Sequence, residues 1–352
     1  MTRYKEVLRI SGAFVGVLVG AGFASGQEIM QFFTSFGLLG LLGAVIASGL
    51  FMFLAMALST LGQKEGATSH KSVIHSICGR FLGPFVDLMV TFFMFAVAVV
   101  MLAGAGALLE QLAGIPQLWG SIAVTVLTVI IVCMNIRQVI GFIGSITPLL
   151  LVTVLIVAAA TVFGRDADVD TLQAAAVQQP QAAENWLIAA LLYVSYNIVA
   201  GAPFLVIMGG QAVDRKTALL GGVFGGLLLG LLMLMIAGGM YARVNELGGI
   251  ALPMLLLAGQ LSPILGVVMG VAIFGMILNT AVGVLYSFCV RIAPHDSPRF
   301  RWVTIAAGAL AFLCSLFGFI QLVGTVYPVF GYLGFILMAC TLVAWFRTGR
   351  NA

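Results

Sequence analysis

Ten apolar runs follow one another along this chain, each close to the roughly 20 residues that cross a bilayer's hydrocarbon as a helix. They fall near residues 8–36, 38–62, 83–110, 118–135, 138–163, 185–210, 217–243, 263–291, 301–319 and 322–346. Only 8% of the 352 residues are charged and 62% are hydrophobic, whereas soluble domains carry about 25% charged residues. A water-facing surface of ordinary size cannot be built from this composition. The period-two alternation of an outer-membrane barrel is absent. The expected class is an all-α integral membrane protein with ten transmembrane helices.

The distribution of Lys and Arg tests that count, because short cytoplasmic loops collect positive charge. With the N-terminus inside, 14 of the 16 basic residues fall in cytoplasmic segments, leaving Arg165 and Arg243 outside. An even number of spans also places both termini inside. The expected location is a bacterial-type cytoplasmic (inner) membrane. The net charge of +4 is spread over short loops rather than gathered on one face, so nucleic acid is not an expected partner. Cys78, Cys133, Cys289, Cys314 and Cys340 are scattered, which suggests neither a metal site nor a disulfide framework. Arg3, Lys5 and Arg9 before an apolar run imitate a signal peptide. The run continues past Ala24 and topology requires it, so it reads as the first span.

Span starts in the second half follow those in the first by 177 to 184 residues. Five spans repeated after an odd number of crossings have opposite orientation, which makes this an inverted 5+5 repeat. The expected organisation is a first repeat at 1–163, an external linker at 164–184 carrying Asp166, Asp168 and Asp170, and a second repeat at 185–352. Two further loops are longer than turns. Residues 63–82, with Ser69, His70, Lys71, His75 and Arg80, suit a short amphipathic cytoplasmic helix, and 244–262 suits either a re-entrant lid or an interfacial loop.

Within the first span lies Gly20-Ala21-Gly22-Phe23-Ala24-Ser25-Gly26-Gln27-Glu28. Such glycine density interrupts a helix, and non-helical backbone at membrane depth survives only inside protein or along a wet cavity. Ser25 and Glu28 have the S-x-x-E spacing of a capping box. That spacing predicts a new half-helix starting at Ser25, with Gly20 to Ala24 unwound. Repeat symmetry demands a second interruption in the sixth span, and Tyr196-Asn197-Ile198-Val199-Ala200-Gly201-Ala202-Pro203 supplies one. There Pro203 is expected to open a new half-helix. Paired interruptions in inverted halves mark a transporter's binding site. Gly12, Gly16 and Gly20, like Gly222, Gly226 and Gly230, also have the spacing of a small-residue packing face.

With both interruptions and the repeat in view, the chain resembles the amino acid–polyamine–cation (APC) superfamily of LeuT-fold secondary transporters. It is most similar to bacterial YkvI-like amino-acid permeases, a resemblance carried by Val19-Gly20-Ala21-Gly22-Phe23-Ala24-Ser25-Gly26-Gln27-Glu28. The resemblance implies a central substrate site between spans one, three, six and eight, coupled to Na⁺ or H⁺. It further implies a Na⁺ site made by Asn279 and Thr280 with backbone near Gly20 and Ala21. The usual pair there is Ser/Thr, so Asn279 departs from the pattern. Some proton-coupled relatives place a lysine on span five, and none stands around Ile146-Thr147-Pro148-Leu149.

An ionisable residue at mid-membrane costs about 2.5–3.5 kcal/mol on the insertion scale and needs a reason. For Glu28 the readings are helix cap, cation ligand or proton carrier. Its negative charge beside a half-helix N-terminus, where a substrate carboxylate would otherwise dock, leaves open which end of the substrate faces it. Asp87, near the start of span three, reads as a cap or inner gate pairing with Arg3 or Arg9. Tyr193 and Tyr196 read as pocket walls or gates, or as plain packing. The substrate-binding candidates are Ala21, Gly22, Phe23, Ala24, Ser25, Gly26, Glu28, Tyr196, Asn197 and Gly201, with Asp87 and Tyr193 as gates. No catalytic motif such as HExxH or GxSxG occurs. The expected function is ion-coupled secondary transport of a small amine-bearing solute, an amino acid above all, by alternating access. The alternatives are proton-coupled transport of a cationic or other small polar solute, or a membrane sensor or channel.

Overall fold

The computed structural model describes residues 3–67, 70–134, 147–163 and 168–349. The start of the fifth expected span, with Arg137, Arg165 and Asp166, lies outside these. Among the described residues the chain is helical, without a strand. Six helical stretches are long and apolar enough to cross a bilayer, and two shorter ones, Gln117–Cys133 and Leu149–Val162, are apolar as well. This is a membrane protein.

The first span is three short pieces: α1 (Arg3–Leu18), α2 (Ala21–Ser25) and α3 (Gln27–Phe32). A 3₁₀ turn leads into α4 (Gly37–Lys64). Next come α5 (His70–Ala113), α6 (Gln117–Cys133), α7 (Thr147–Phe163) and the short α8 (Val169–Ala176). The second half holds α9 (Trp186–Gly210), α10 (Arg215–Ala242), the short α11 (Pro253–Leu261), α12 (Pro263–Ile292), α13 (Arg299–Ser315) and α14 (Phe319–Ala344). Helix α5 breaks at Gly79, whose φ of 74° sets His70–Cys78 apart from the long apolar part. The 244–262 loop contains α11, whose Pro253, Met254, Leu255, Leu257 and Ala258 are buried.

Close packing of α4 on α10 rests on absent side chains. A Cβ at Gly222, Gly226 or Gly230 would come within 2.4–2.5 Å of Ala55, Met52 or Ser48. Gly12, Gly16 and Gly20 differ from the expected packing face, since a Cβ at any of them meets nothing within 4 Å. Equal sequence spacing therefore makes a tight seam on one helix and open space on the other.

The backbone of the first span departs from the capping-box expectation. Its i→i−4 ladder ends with Val19 N–H to Val15 (2.8 Å) and resumes with Ala24 N–H to Gly20 (3.0 Å). Between them Gly20 N–H reaches back only to Leu18 (2.8 Å). The unwound part is thus Val19–Gly20, shorter than the expected Gly20 to Ala24. A second joint follows at Gly26, where φ is +85° and the left-handed region favours glycine. Ser25 does not cap Glu28: its hydroxyl donates to Gly22 O (2.8 Å) and accepts from Gln27 N–H (3.2 Å). The αL turn at Gly26 ends one helix and starts the next, so Ser25 closes the piece before it rather than opening the piece after it.

The sixth span is one helix. Asn185 caps α9 by accepting from Leu187 N–H (2.8 Å), and Pro203 lies inside it rather than at a new start. Here the proline withdraws one donor from the ladder without unwinding the helix. That leaves the Val199 carbonyl without its usual partner four residues on.

Candidate functional site

A cavity of about 620 Å³ opens where α1 stops. Its floor is Gly16, Val17, Leu18, Gly20, Ala21 and Gly22. Val90, Phe93, Met94, Val97 and Met101 of α5 form one wall, and Met276, Asn279, Thr280 and Gly283 of α12 another. The remaining wall comes from Tyr196, Asn197, Val199, Ala200 and Pro203 of α9, with Tyr327 of α14. Toward one end it reaches Phe204, Ile207, Ser287 and Arg291, which are partly or fully exposed.

Its polar centre is Glu28. That carboxylate folds back over the interruption, so close that a Cβ on Gly22 would fall 1.8 Å from Glu28 Oε1. The Tyr196 hydroxyl donates to Glu28 Oε2 at 2.6 Å, a short charge-assisted geometry. Tyr327 stacks on Tyr196, with ring centroids 4.8 Å apart and planes 9° from parallel. Its hydroxyl lies within electrostatic reach of the same carboxylate. Glu28 is 6% exposed, and among the described residues no ion pair reaches it.

At the mouth, Arg291 Nη1 meets Asp87 Oδ1 at 2.9 Å and the Thr91 hydroxyl at 2.7 Å. Asp87 therefore pairs with the end of α12 rather than with Arg3 or Arg9. Arg3 instead pairs with Asp214, the N-cap of α10. There the Thr217 backbone N–H, followed by Arg3, holds the Asp214 carboxyl down at about 2 from its ordinary 3.8.

Beyond Glu28, side-chain amides tie α3 and α5 to neighbouring backbone. With its amide oriented to suit its neighbours, Gln27 donates to the carbonyls of Ile250 and Ala251 (3.2 and 3.1 Å) and accepts from Gln31 Nε2 (2.7 Å). Gln31 Nε2 also donates to Ile320 O (2.9 Å), and the Gln31 carbonyl accepts from Ala182 N–H (3.0 Å). Gln111 exchanges two hydrogen bonds with the Leu252 backbone just before α11 (3.0 and 3.2 Å).

Of the residues singled out from sequence, the cavity gathers Gly20, Ala21, Gly22, Glu28, Tyr196, Asn197, Asn279 and Thr280. Phe23, Ala24 and Ser25 are buried away from it. Gly26 is pressed between Met254 and Met240, and Gly201 faces Phe14 and Leu18. Tyr193 packs among Phe32, Phe33 and Phe51, with centroids 4.9–6.0 Å apart, rather than at a gate. Sequence reasoning missed Arg291 and Tyr327. Tyr327-Pro328 in span ten repeats the pairing of an aromatic with a nearby helix-interior proline at Tyr196 and Pro203, and that signal was readable.

The chain is homologous to two proteins of Bacillus subtilis (strain 168). It is 25% identical over 338 residues to the uncharacterized membrane protein YkvI, covering 95% of this chain and 94% of the relative. It is 26% identical over 330 residues to the uncharacterized protein YyaD, covering 94% of each. No protein-family model matches the sequence. The structure of MhsT in complex with L-phenylalanine superposes with a TM-score of 0.65 at 17% identity, over 97% of this chain and 89% of that one. The chain has the LeuT fold. Other LeuT-fold neighbours are Mhp1 in an inward-facing conformation (TM-score 0.58, 16% identity, 94% of this chain and 72% of that one) and a manganese transporter of Eremococcus coleocola (0.57, 16%, 100% and 90%).

Proposed function

We propose that the protein is an ion-coupled secondary transporter that moves a small amine-bearing solute, such as an amino acid, by alternating access. One observation carries this reading: a cavity at a helix interruption holds a buried carboxylate and opens toward Arg291. A channel needs a continuous polar path, and most of the residues lining this cavity are apolar.

In this reading the ten spans form two inverted halves, 1–163 and 185–352, joined by an external segment at 164–184. Both termini and the cavity mouth face the cytoplasm of a bacterial-type inner membrane, and the arrangement is inward-facing. The first span carries the mid-membrane interruption, while α9 contributes a helix weakened at Pro203. Tyr196, Asn197, Gly22 and Glu28 bind substrate, and the Asp87–Arg291 pair guards the inner mouth.

Coupling by Na⁺ fits the donor set. Asn279 and Thr280 place a carbonyl and a hydroxyl on the cavity wall, and α12 packs against α2 beside Gly20 and Ala21. These are hard oxygen donors suited to a cation that prefers oxygen. When bound, Na⁺ would add positive charge next to the interruption. A second reading, proton coupling, is favoured by Glu28 alone, since a buried carboxylate with no ion pair requires neutralisation.

A thermal-shift series of amines and amino acids, with Na⁺ or choline, tests the proposal. Na⁺ is expected to raise the melting temperature, and Thr280→Ala to abolish the rise. If Na⁺ does nothing at any pH while a proton gradient drives uptake, coupling moves to Glu28. If no solute of this class stabilises the protein or is taken up, the transport reading falls.

A further inference from the structure

An amino acid brings two charges into a site, and each needs a partner once water is excluded. In this cavity the negative partner is supplied by Glu28, and among the described residues the lining offers no uncommitted side-chain cation as its counterpart. Arg291, the one cation on the lining among the described residues, is already bonded to Asp87 and Thr91 at the mouth. The place beside the interrupted backbone, where a substrate carboxylate would dock, is occupied by the chain's own carboxylate lying on Gly22. The rest of the lining is largely aliphatic, aromatic or thioether: Val17, Leu18, Phe93, Met94, Val97 and Met276.

We infer that the site takes a carboxylate-free amine with an apolar body, its ammonium group docked on Glu28 and its apolar part lying between α5 and α12. Tyr327 acts as a positioning residue for that carboxylate, contributed by a helix outside the four expected to build the site. The inference rests on the transport reading and narrows its substrate.

The geometry assigns the parts. Tyr196 holds Glu28 Oε2, and Oε1 rests over Gly22. The Tyr196 phenol holds one carboxylate oxygen, and a docked ammonium group supplies the opposite charge that a buried carboxylate without an ion pair requires. The parallel stack of Tyr196 on Tyr327 ties α9 to α14 at the same point. An ammonium docked there exchanges water for a charge-assisted bond in an apolar surrounding, where such a bond is strong. A substrate carboxylate would instead lie near Glu28 or among Val and Met side chains, and both placements are unfavourable.

The test is binding to the purified full-length protein in detergent at fixed Na⁺, followed by calorimetry with four probes that share a 2-phenylethyl body. These are 2-phenylethylamine, L-phenylalanine, 3-phenylpropanoate and 2-phenylethanol. The amine is expected to bind about tenfold or more tightly than L-phenylalanine, with 3-phenylpropanoate weakest. Glu28→Gln is expected to lower amine affinity about a hundredfold, as for a buried charge stripped of its partner, and to leave 2-phenylethanol unchanged. Glu28→Asp, which keeps the charge on a shorter arm, should retain a measurable preference for the amine. Tyr327→Phe keeps the ring stack and loses the hydroxyl. It should shrink the preference for amine over alcohol without altering alcohol binding, a change that a purely structural role would not produce.

Equal or tighter binding of L-phenylalanine overturns the inference, and so does amine binding that survives Glu28→Gln. Failure of the amine to bind does the same. If L-phenylalanine is nevertheless taken up saturably, the transport reading stands while this inference falls. If none of the four probes binds and no solute shows saturable uptake, both fall.

Discussion

At the scale of single residues, the site depends on Gly22 lacking a side chain. Gly22→Ala would place a methyl group where Glu28 Oε1 now lies, so the carboxylate must leave both Gly22 and Tyr196. Losing that charge-assisted contact and its orientation should weaken amine binding by about 1.5–3 kcal/mol, roughly ten- to hundredfold, in a calorimetric titration. Gly12→Ala is the control, because a Cβ there meets nothing, and it should raise the melting temperature slightly through helix propensity. Asp214 offers a pH-dependent counterpart at the N-terminal end of α10. Its folded pKa lies below the ordinary value, so its contribution is present above about 3.8 and disappears as pH falls through about 2. Melting curves of wild type and Asp214→Asn should therefore differ at neutral pH and converge over that interval. Glu28 was legible in the sequence as an ionisable residue in an apolar run. Its partner was not, because Tyr196 is 168 positions away and nothing local marks which phenol will reach it.

At the scale of elements, the interruption follows from backbone chemistry that sequence spacing described only in part. The S-x-x-E pattern pointed to a helix start at Ser25, but Gly26 can adopt the left-handed conformation and Ser25 cannot do so cheaply. The joint accordingly moved one residue on. Gly26→Ala should cost about 1–2 kcal/mol for the left-handed backbone alone. Its Cβ would in addition press on Met254 and Met240, at 2.8 and 2.9 Å. The measurement is denaturation monitored by tryptophan fluorescence, with the loss exceeding that of Gly12→Ala. Pro203 misled in the opposite direction. A proline in an apolar run reads as a break, yet neighbouring helices on both sides keep α9 wound. The same limit applied to the glycine series. Spacing of four residues was correct for the seam of α10 on α4 and wrong for α1, because spacing cannot say whether a partner helix lies opposite.

At the scale of the whole molecule, the run of apolar spans made the membrane class readable, since hydrophobic length follows from bilayer physics, and the LeuT fold was implied by the resemblance that Val19 to Glu28 carries. The hydrogen bonds of Gln27, Gln31 and Gln111 did not emerge, because they go to backbone that is distant in sequence. An accessibility experiment checks the inward-facing arrangement. With the native cysteines replaced, Ser287→Cys should react with a membrane-impermeant maleimide from the cytoplasmic side, and Gln31→Cys should stay protected from both sides until substrate and ion gradients drive the carrier over. The central claim, that this cavity is a carrier's transport site, is tested most directly by initial rates of labelled 2-phenylethylamine and L-phenylalanine uptake into proteoliposomes under Na⁺ and proton gradients. The account predicts uptake that saturates with concentration, collapses when the driving gradient is dissipated and is lost in Gly22→Val; uptake that rises linearly without limit, or that is unchanged in Gly22→Val, would contradict it.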